Sequence, residues 1–281
     1  MTEQSSNKVN YVLMLFGSAV LWSTGGVFIK QLAYSASVIA CLRSVGAVLV
    51  ILAIYRKPFK YPSRTVLAGA IFLAATGTLF IYSTKLTTAS NAIILQYTAP
   101  LYVALFGRFW LKEKAGMVDW LSMTALMGGA VLFFLGDLSG GKMLGNILAL
   151  LSGVCFAGLT INLRMQKDQA PEDTILWGNI ICGLVNFPFL FQQSFDYINT
   201  IGAVALGVFQ LGLPYLLYSM ALKKVRAIDG ILIPILEPIL NPLWVFLVLG
   251  ERPGSWAIMG GTIVLTSLVL RGIWMSKQRW A

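Results

Sequence analysis

Long apolar runs separated by short polar stretches organise the chain, and ten of them fall at roughly 11–29, 35–55, 65–84, 90–110, 119–137, 145–163, 174–194, 200–222, 228–249 and 254–274. A helix needs about 20 apolar residues to cross the hydrocarbon core of a bilayer. Each run is near that length, so the pattern predicts an all-α integral membrane protein with ten transmembrane helices. Asn186 and Pro188 interrupt the seventh run.

The ninth run stands apart. The stretch GILIPILEPILNPLWVFLVLGE (230–251) carries an acid, Glu237, near its middle, and prolines at Pro234, Pro238 and Pro242. An acid at the bilayer centre costs roughly 2.5–3.5 kcal/mol on insertion scales, so such a group faces a partner or a watery cavity. Each proline removes a helical N–H donor, which frees the carbonyls of Gly230, Pro234 and Pro238. A helix broken this way survives in lipid only where neighbours or a cavity satisfy the freed groups. At about 100° per residue, Gly230, Pro234, Glu237, Asn241 and Trp244 share one face, and that face reads as the lining of a site.

Composition supports the membrane assignment. Of 281 residues, 57% are hydrophobic and 11% charged, and the mean hydropathy is +0.77. Soluble domains carry about 25% charged residues. The net charge of +10 does not indicate nucleic acid. The basic residues sit in short loops between runs, and no basic helix with interleaved aromatics is present. With the N-terminus inside, sixteen Lys and Arg fall on the cytoplasmic side and four outside, with Arg43 within a span. The positive-inside rule therefore predicts a plasma-membrane protein with both termini cytoplasmic. The N-terminus lacks a basic n-region and a small-residue cleavage site, which suits a first span that stays. Cys41, Cys155 and Cys182 lie in apolar runs without metal-ligand spacing, and histidine is absent. Neither a metal site nor a cofactor is expected.

An internal repeat changes the picture further. Shifting by 138 residues lays Pro100 on Pro238, Leu105 on Leu243, Glu113 on Glu251 and Gly116 on Gly254, so the fourth span resembles the ninth. A shift of 134 pairs Trp22 with Phe156 and Lys30 with Arg164. The repeats, 11–138 and 144–275, hold five helices each, an odd number, so the second inserts upside down. Inverted repeats characterise secondary transporters, whose sites lie near the midplane at the repeat interface.

Three segments carry a family resemblance: QYTAPLYVALFGRFWLKEK (96–114), LEPILNPLWVFLVLGE (236–251) and the arginine in ACLRSVGAVLVILAI (40–54). On these the chain resembles the drug/metabolite transporter superfamily, in particular its EamA family of ten-helix proteins with two five-helix repeats. The resemblance implies export of amino acids, related metabolites or toxic compounds, with some relatives importing such solutes. Gly250-Glu251 matches the family's Gly-Glu at the end of the ninth span; Lys112-Glu113 departs from it in the fourth.

Candidate site residues follow. Glu237 would bind a cationic group or carry a coupling proton; alternatively it serves the fold, since the resemblance implies that an acid here is widespread. Arg43 shares a face with Ala36, Ala40, Gly46 and Ala47, small residues that let another helix approach. Its guanidinium would pair with Glu237, meet a substrate carboxylate, or clamp the carbonyls of neighbouring helices. Trp22, Tyr82, Tyr97, Tyr102, Phe156, Tyr215, Tyr218 and Trp244 would stack on a flat or cationic ligand or simply fill helix contacts. Asn241 and Gln96 rank highest among uncharged polar residues. For Asn162, Asn179, Asn186 and Gln210, interhelical hydrogen bonding is the expected role.

These features predict a secondary transporter moving a small organic metabolite (an amino acid, amine or quaternary-ammonium-like solute) by alternating access, driven by protons or sodium or by neither. The partners expected are that small molecule and the lipid bilayer, with no nucleic acid, and the protein as monomer or homodimer. A lipid-handling or regulatory membrane protein is the alternative. An embedded enzyme finds no support: there is no histidine, Gly-x-Ser-x-Gly motif or carboxylate pair. GDLSGGKM (136–143) nearly spells a P-loop, but ends in methionine where serine or threonine is needed and follows no strand. The basic run RKPFKYPSR (56–64) would touch anionic lipid, or be a plain inside loop.

Overall fold

A computed structural model of the chain describes residues 2–56, 61–135, 143–250 and 255–277. Most of GDLSGGKM, the centre of the basic run at 57–60, and Glu251 lie outside these residues. All regular structure among the described residues is helical. The helices are α1 (Thr2–Ser23), α2 (Gly25–Gln31), α3 (Ala36–Tyr55), α4 (Arg64–Leu86), α5 (Ala89–Gln96), α6 (Ala99–Trp110) and α7 (Met117–Leu135). They continue as α8 (Met143–Met165), α9 (Pro171–Asn186), α10 (Tyr197–Leu206), α11 (Leu213–Leu222), α12 (Ala227–Leu232), α13 (Leu236–Leu249) and α14 (Ser255–Lys277). Seven described stretches are long and apolar enough to cross a membrane.

Helix starts follow ordinary capping chemistry. Ser63 accepts the Val66 N–H at the start of α4, and Thr88 accepts the Asn91 N–H at the start of α5. Asp196 accepts the Asn199 N–H at the start of α10, and that bond holds its exposed carboxyl below the usual carboxylate range. α13 ends at Gly250, whose φ of 70° suits a residue without Cβ.

Breaks inside the apolar runs trace to proline. The run expected as one helix over 90–110 divides at Tyr97–Thr98, because Pro100 cannot donate to the carbonyl of Gln96. The ninth run divides into α12, a 3₁₀ turn at Ile233–Ile235 containing Pro234, and α13. Before Pro214 the chain widens into a π-helical segment, Gly207–Gly212, which joins α10 to α11.

α8 sits at the centre, packed on α4, α5 and α6, while α9 packs on α3 and α4. α1 lies against α11 and α13, and α7 and α14 pack chiefly on each other. Glycines set the closest approach. A Cβ on Gly46 would fall 2.1 Å from the Val204 carbonyl oxygen, and one on Gly207 would fall 2.1 Å from that of Arg43. The backbones of α3 and the π segment are therefore in direct contact, one turn from Arg43.

The ion pairs between described residues gather at one end, the end rich in lysine and arginine. Arg271 donates to Asp119 at 2.7 Å and to Asp229 at 2.9 Å, and Arg226 pairs with Asp229 at 2.9 Å. Arg164 donates to Glu113 at 2.8 Å, and the same carboxylate accepts the Ala227 N–H. Lys223 pairs with Glu172 nearby. The opposite end is closed by hydrogen bonds, among them Tyr34 with Asp196 and Thr200, and Lys85 to the carbonyl of Leu32.

Candidate functional site

Residues from α1, α3, α4, α5, α8, the π segment, α11 and α13 converge on one small central cavity. It is lined by Trp22, Arg43, Thr76, Gly77, Phe80, Gln96, Phe156, Gln210, Leu211, Tyr215 and Glu237. Six of these were candidates from sequence: Trp22, Arg43, Gln96, Phe156, Tyr215 and Glu237. The cavity measures about 30 Å³, enough for a water but far below the several hundred Å³ of a metabolite site. Two larger cavities, of about 340 and 680 Å³, open between α4, α6 and α8 and between α7 and α14. Their linings are mostly apolar, and of these three cavities the small one alone joins a buried acid to a buried base. The chemistry, not the size, identifies the site.

Glu237 is 5% exposed. Its Oε2 accepts from the Tyr97 hydroxyl at 2.7 Å, and the same hydroxyl lies 2.9 Å from the carbonyl oxygen of Pro234. That carbonyl is one of those freed by proline, since Pro238 has no N–H to offer it. Tyr97 thus closes the break in the ninth run from across the bundle, and it does so from the break in the fourth. Thr98, Ser152 and Gly153 complete this junction. Gln96 donates to Ser152 at 2.7 Å, Ser152 donates to the Thr76 carbonyl at 3.0 Å, and a Cβ on Gly153 would fall 2.6 Å from the Gln96 carbonyl oxygen.

Arg43 is 2% exposed and makes no ion pair with Glu237. Its Nη2 donates to Oε1 of Gln210, while Nε and Nη1 have no hydrogen-bond partner among the described residues. Gln210 in turn donates from Nε2 to the carbonyl of Trp22 at 3.2 Å. The indole N–H of Trp22 is also buried without a partner among the described residues. Around it the Phe156, Tyr215 and Tyr218 rings stand edge-on or tilted, with centroids 5.9, 4.9 and 5.1 Å away. Tyr218 shares a hydrogen bond with Thr160 at 2.8 Å and backs the cavity wall without lining it.

Other candidates lie elsewhere. The Tyr82 hydroxyl bonds Ser37. Trp244 donates from Nε1 to Ser23 at 3.0 Å and packs beside Val27 and Ala89. Neither lines the cavity; Trp244 stays on the Glu237 face of the unbroken α13, but it lies two turns further along the axis, about 10 Å away, where it meets Ser23 and α2. Tyr102 lines the larger groove between α4, α6 and α8. The side chain of Asn241 lies outside the described residues. Sequence reasoning missed Thr76, Gly77, Phe80 and Leu211 as lining, and gave Gln210 only an interhelical role. The one readable signal for Gln210 was an amide amid apolar residues just before Pro214.

The sequence matches the EamA-like transporter family over residues 9–135 and 143–272. An "Uncharacterized transporter" of Archaeoglobus fulgidus is 24% identical over 257 residues, covering 90% of this chain and 93% of that protein. "Solute carrier family 35 member G1" of Homo sapiens is 25% identical over 277 residues, covering 90% of this chain and 76% of its own length. A solved crystal structure, 18% identical in sequence, has the same fold with a TM-score of 0.75 over 95% of this chain and 98% of the other. With two matched segments spanning most of its length and its apolar helices, the chain is a multi-pass membrane protein that belongs to the EamA-like transporter family.

Proposed function

We propose that the protein is a ten-pass secondary transporter, with residues 11–138 and 144–275 as two inverted five-helix repeats. It moves a small organic metabolite bearing an amino or ammonium group across the plasma membrane by alternating access, both termini being cytoplasmic. Glu237 receives the ammonium group or a coupling proton, and Trp22, Phe156 and Tyr215 enclose the solute. The observation that carries this reading is Glu237 itself: a buried acid on a proline-broken helix, facing a cavity walled by aromatic rings. At about 30 Å³ the cavity is too small for such a solute, so uptake requires the helices around it to part.

The Tyr97 geometry supports a proton at Glu237. One hydroxyl hydrogen faces two acceptors, the Pro234 carbonyl and the Glu237 carboxyl. With Glu237 ionised, these compete for it. With Glu237 protonated, its O–H donates to Tyr97 and Tyr97 donates to Pro234, so every group is satisfied. Protonation and the state of the helix break are thereby linked.

Glu237→Gln supplies a permanent donor at the same place and mimics the protonated acid. In proteoliposomes the variant is expected to lose the pH dependence of flux, with net gradient-driven uptake reduced at least about tenfold, in the range of a lost acid–base group. Wild-type uptake and wild-type pH dependence in this variant would show that Glu237 is neither ligand nor proton carrier.

A further inference from the structure

We infer that Arg43 and Trp22 form a carboxylate-binding subsite in the central cavity, oriented by Gln210, so that the solute carries a carboxylate as well as an amino group. This rests on the transport reading above and narrows its substrate class.

The cavity is asymmetric in what it lacks. On the Glu237 side the acid has Tyr97. On the Arg43 side three buried nitrogens, Nε and Nη1 of Arg43 and Nε1 of Trp22, have no acceptor among the described residues. Both side chains line the same cavity. Unpaired buried donors are costly, and a buried guanidinium without a counter-charge more so. None of the ion pairs between described residues engages Arg43; those carboxylates sit with other cations at the basic end. What the site calls for is an anionic acceptor from outside the chain.

Gln210 makes the arrangement directional. Its Nε2 is committed to the Trp22 carbonyl, so its Oε1 must face Arg43. That bond takes up Nη2 and holds the guanidinium plane, leaving Nε and Nη1 for a ligand. Gly25 makes room for this, since a Cβ there would fall 2.4 Å from Gln210 Nε2. Gln210 is therefore a positioning residue, and Arg43 and Trp22 are the contacts.

A carboxylate fits the demand. It offers two oxygens with about four acceptor positions and a single negative charge, matching several N–H groups and one guanidinium. A dianion such as a phosphate monoester would leave a negative charge over beside Glu237. A zwitterion sets its carboxylate at Arg43 and its ammonium at Glu237, and both buried charges are then paired.

The test is a thermal-stability titration of the purified full chain in detergent, since ligands that bind only the folded form raise its unfolding midpoint. The probes are valine and phenylalanine, each with its amide and its decarboxylated amine, and sodium chloride at matched ionic strength. The acids are expected to raise the midpoint more than the amides or amines. Arg43→Gln should weaken the acids by about tenfold or more and leave the amides unchanged, as fits loss of charge-assisted bonds. Trp22→Phe keeps the ring and removes only the N–H, so it should give a smaller loss confined to the acids; it serves alone if Arg43→Gln does not fold. The subsite is overturned if amides stabilise the wild type as well as acids do, if no acid stabilises it, or if chloride alone gives the whole shift. Flux is read separately. An acid bound through Arg43 that never crosses the vesicle overturns transport and leaves the subsite; flux of amides and amines alone does the reverse.

Discussion

Alanine at Gly207 is expected to lower the thermal midpoint of the purified protein by roughly 6–12 °C. The added Cβ would sit 2.1 Å from the carbonyl oxygen of Arg43 and 2.9 Å from the Cα of Gly46. Both are backbone atoms, which cannot swing aside as a side-chain tip can. Overpacking commonly costs 1–3 kcal/mol, and about 3 kcal/mol is expected here because α3 must be displaced whole. At about 2–4 °C per kcal/mol for a chain of this order, the stated shift follows. Gly107→Ala is the control, since its Cβ would meet only a Leu111 methyl at 4.0 Å. There, helix propensity favours alanine by roughly 0.5–1 kcal/mol and the midpoint should hold or rise. Equal behaviour of the two variants would refute the backbone contact. Where Gly207→Ala does fold, Arg43 and Gln210 are pushed apart, and pH-dependent flux should fall with them.

The second large effect is expected at Arg271. This residue is 5% exposed and holds Asp119, itself 4% exposed, together with Asp229. Arg271→Gln leaves two carboxylates near each other with Arg226 as the nearest remaining cation, 3.8 Å from Asp119. Removing one partner of a buried pair costs about 3–5 kcal/mol, and about 3 kcal/mol, the low end, is expected here because Arg226 still bonds Asp229 and lies 3.8 Å from Asp119. The midpoint should therefore drop by roughly 6 °C or more, with little recovery in high salt, because buried charges are weakly screened. Removing both partners, as in Asp119→Leu with Arg271→Leu, should recover part of the loss. A wild-type midpoint for Arg271→Gln would show that the pair contributes nothing to folding.

Much of the central site was legible because membrane chemistry makes polar residues conspicuous. Glu237, Arg43 and Gln96 stand out in apolar runs, and Pro100 and Pro234 announced helix breaks, whereas Pro238 and Pro242 lie within the unbroken α13. Trp22 and Phe156, two of the eight aromatics picked out in the apolar runs, meet at one cavity. Contacts across the bundle were not legible. Nothing in the sequence says that the Tyr97 hydroxyl meets the Pro234 carbonyl, 137 residues on, or that Arg271 chooses Asp119, 152 residues back. A helical wheel misled for Trp244 because it gives the face and not the depth: Trp244 shares α13 with Glu237 but stands two turns on, against Ser23. The π segment was equally hidden. Pro214 forbids one hydrogen bond, but whether a helix kinks, breaks or widens there depends on its neighbours.

The glycine contact between α3 and Gly207–Gly212 also bears on how the molecule can move. α3 comes from the first matched segment of the chain and the π segment from the second, yet their backbones touch with no side chain between them. Two elements joined that tightly cannot slide past each other and behave as a single strut. The seam between the sequence halves is therefore not a mechanical seam. Any rocking motion has to carry Arg43 and Gln210 together, as one jaw.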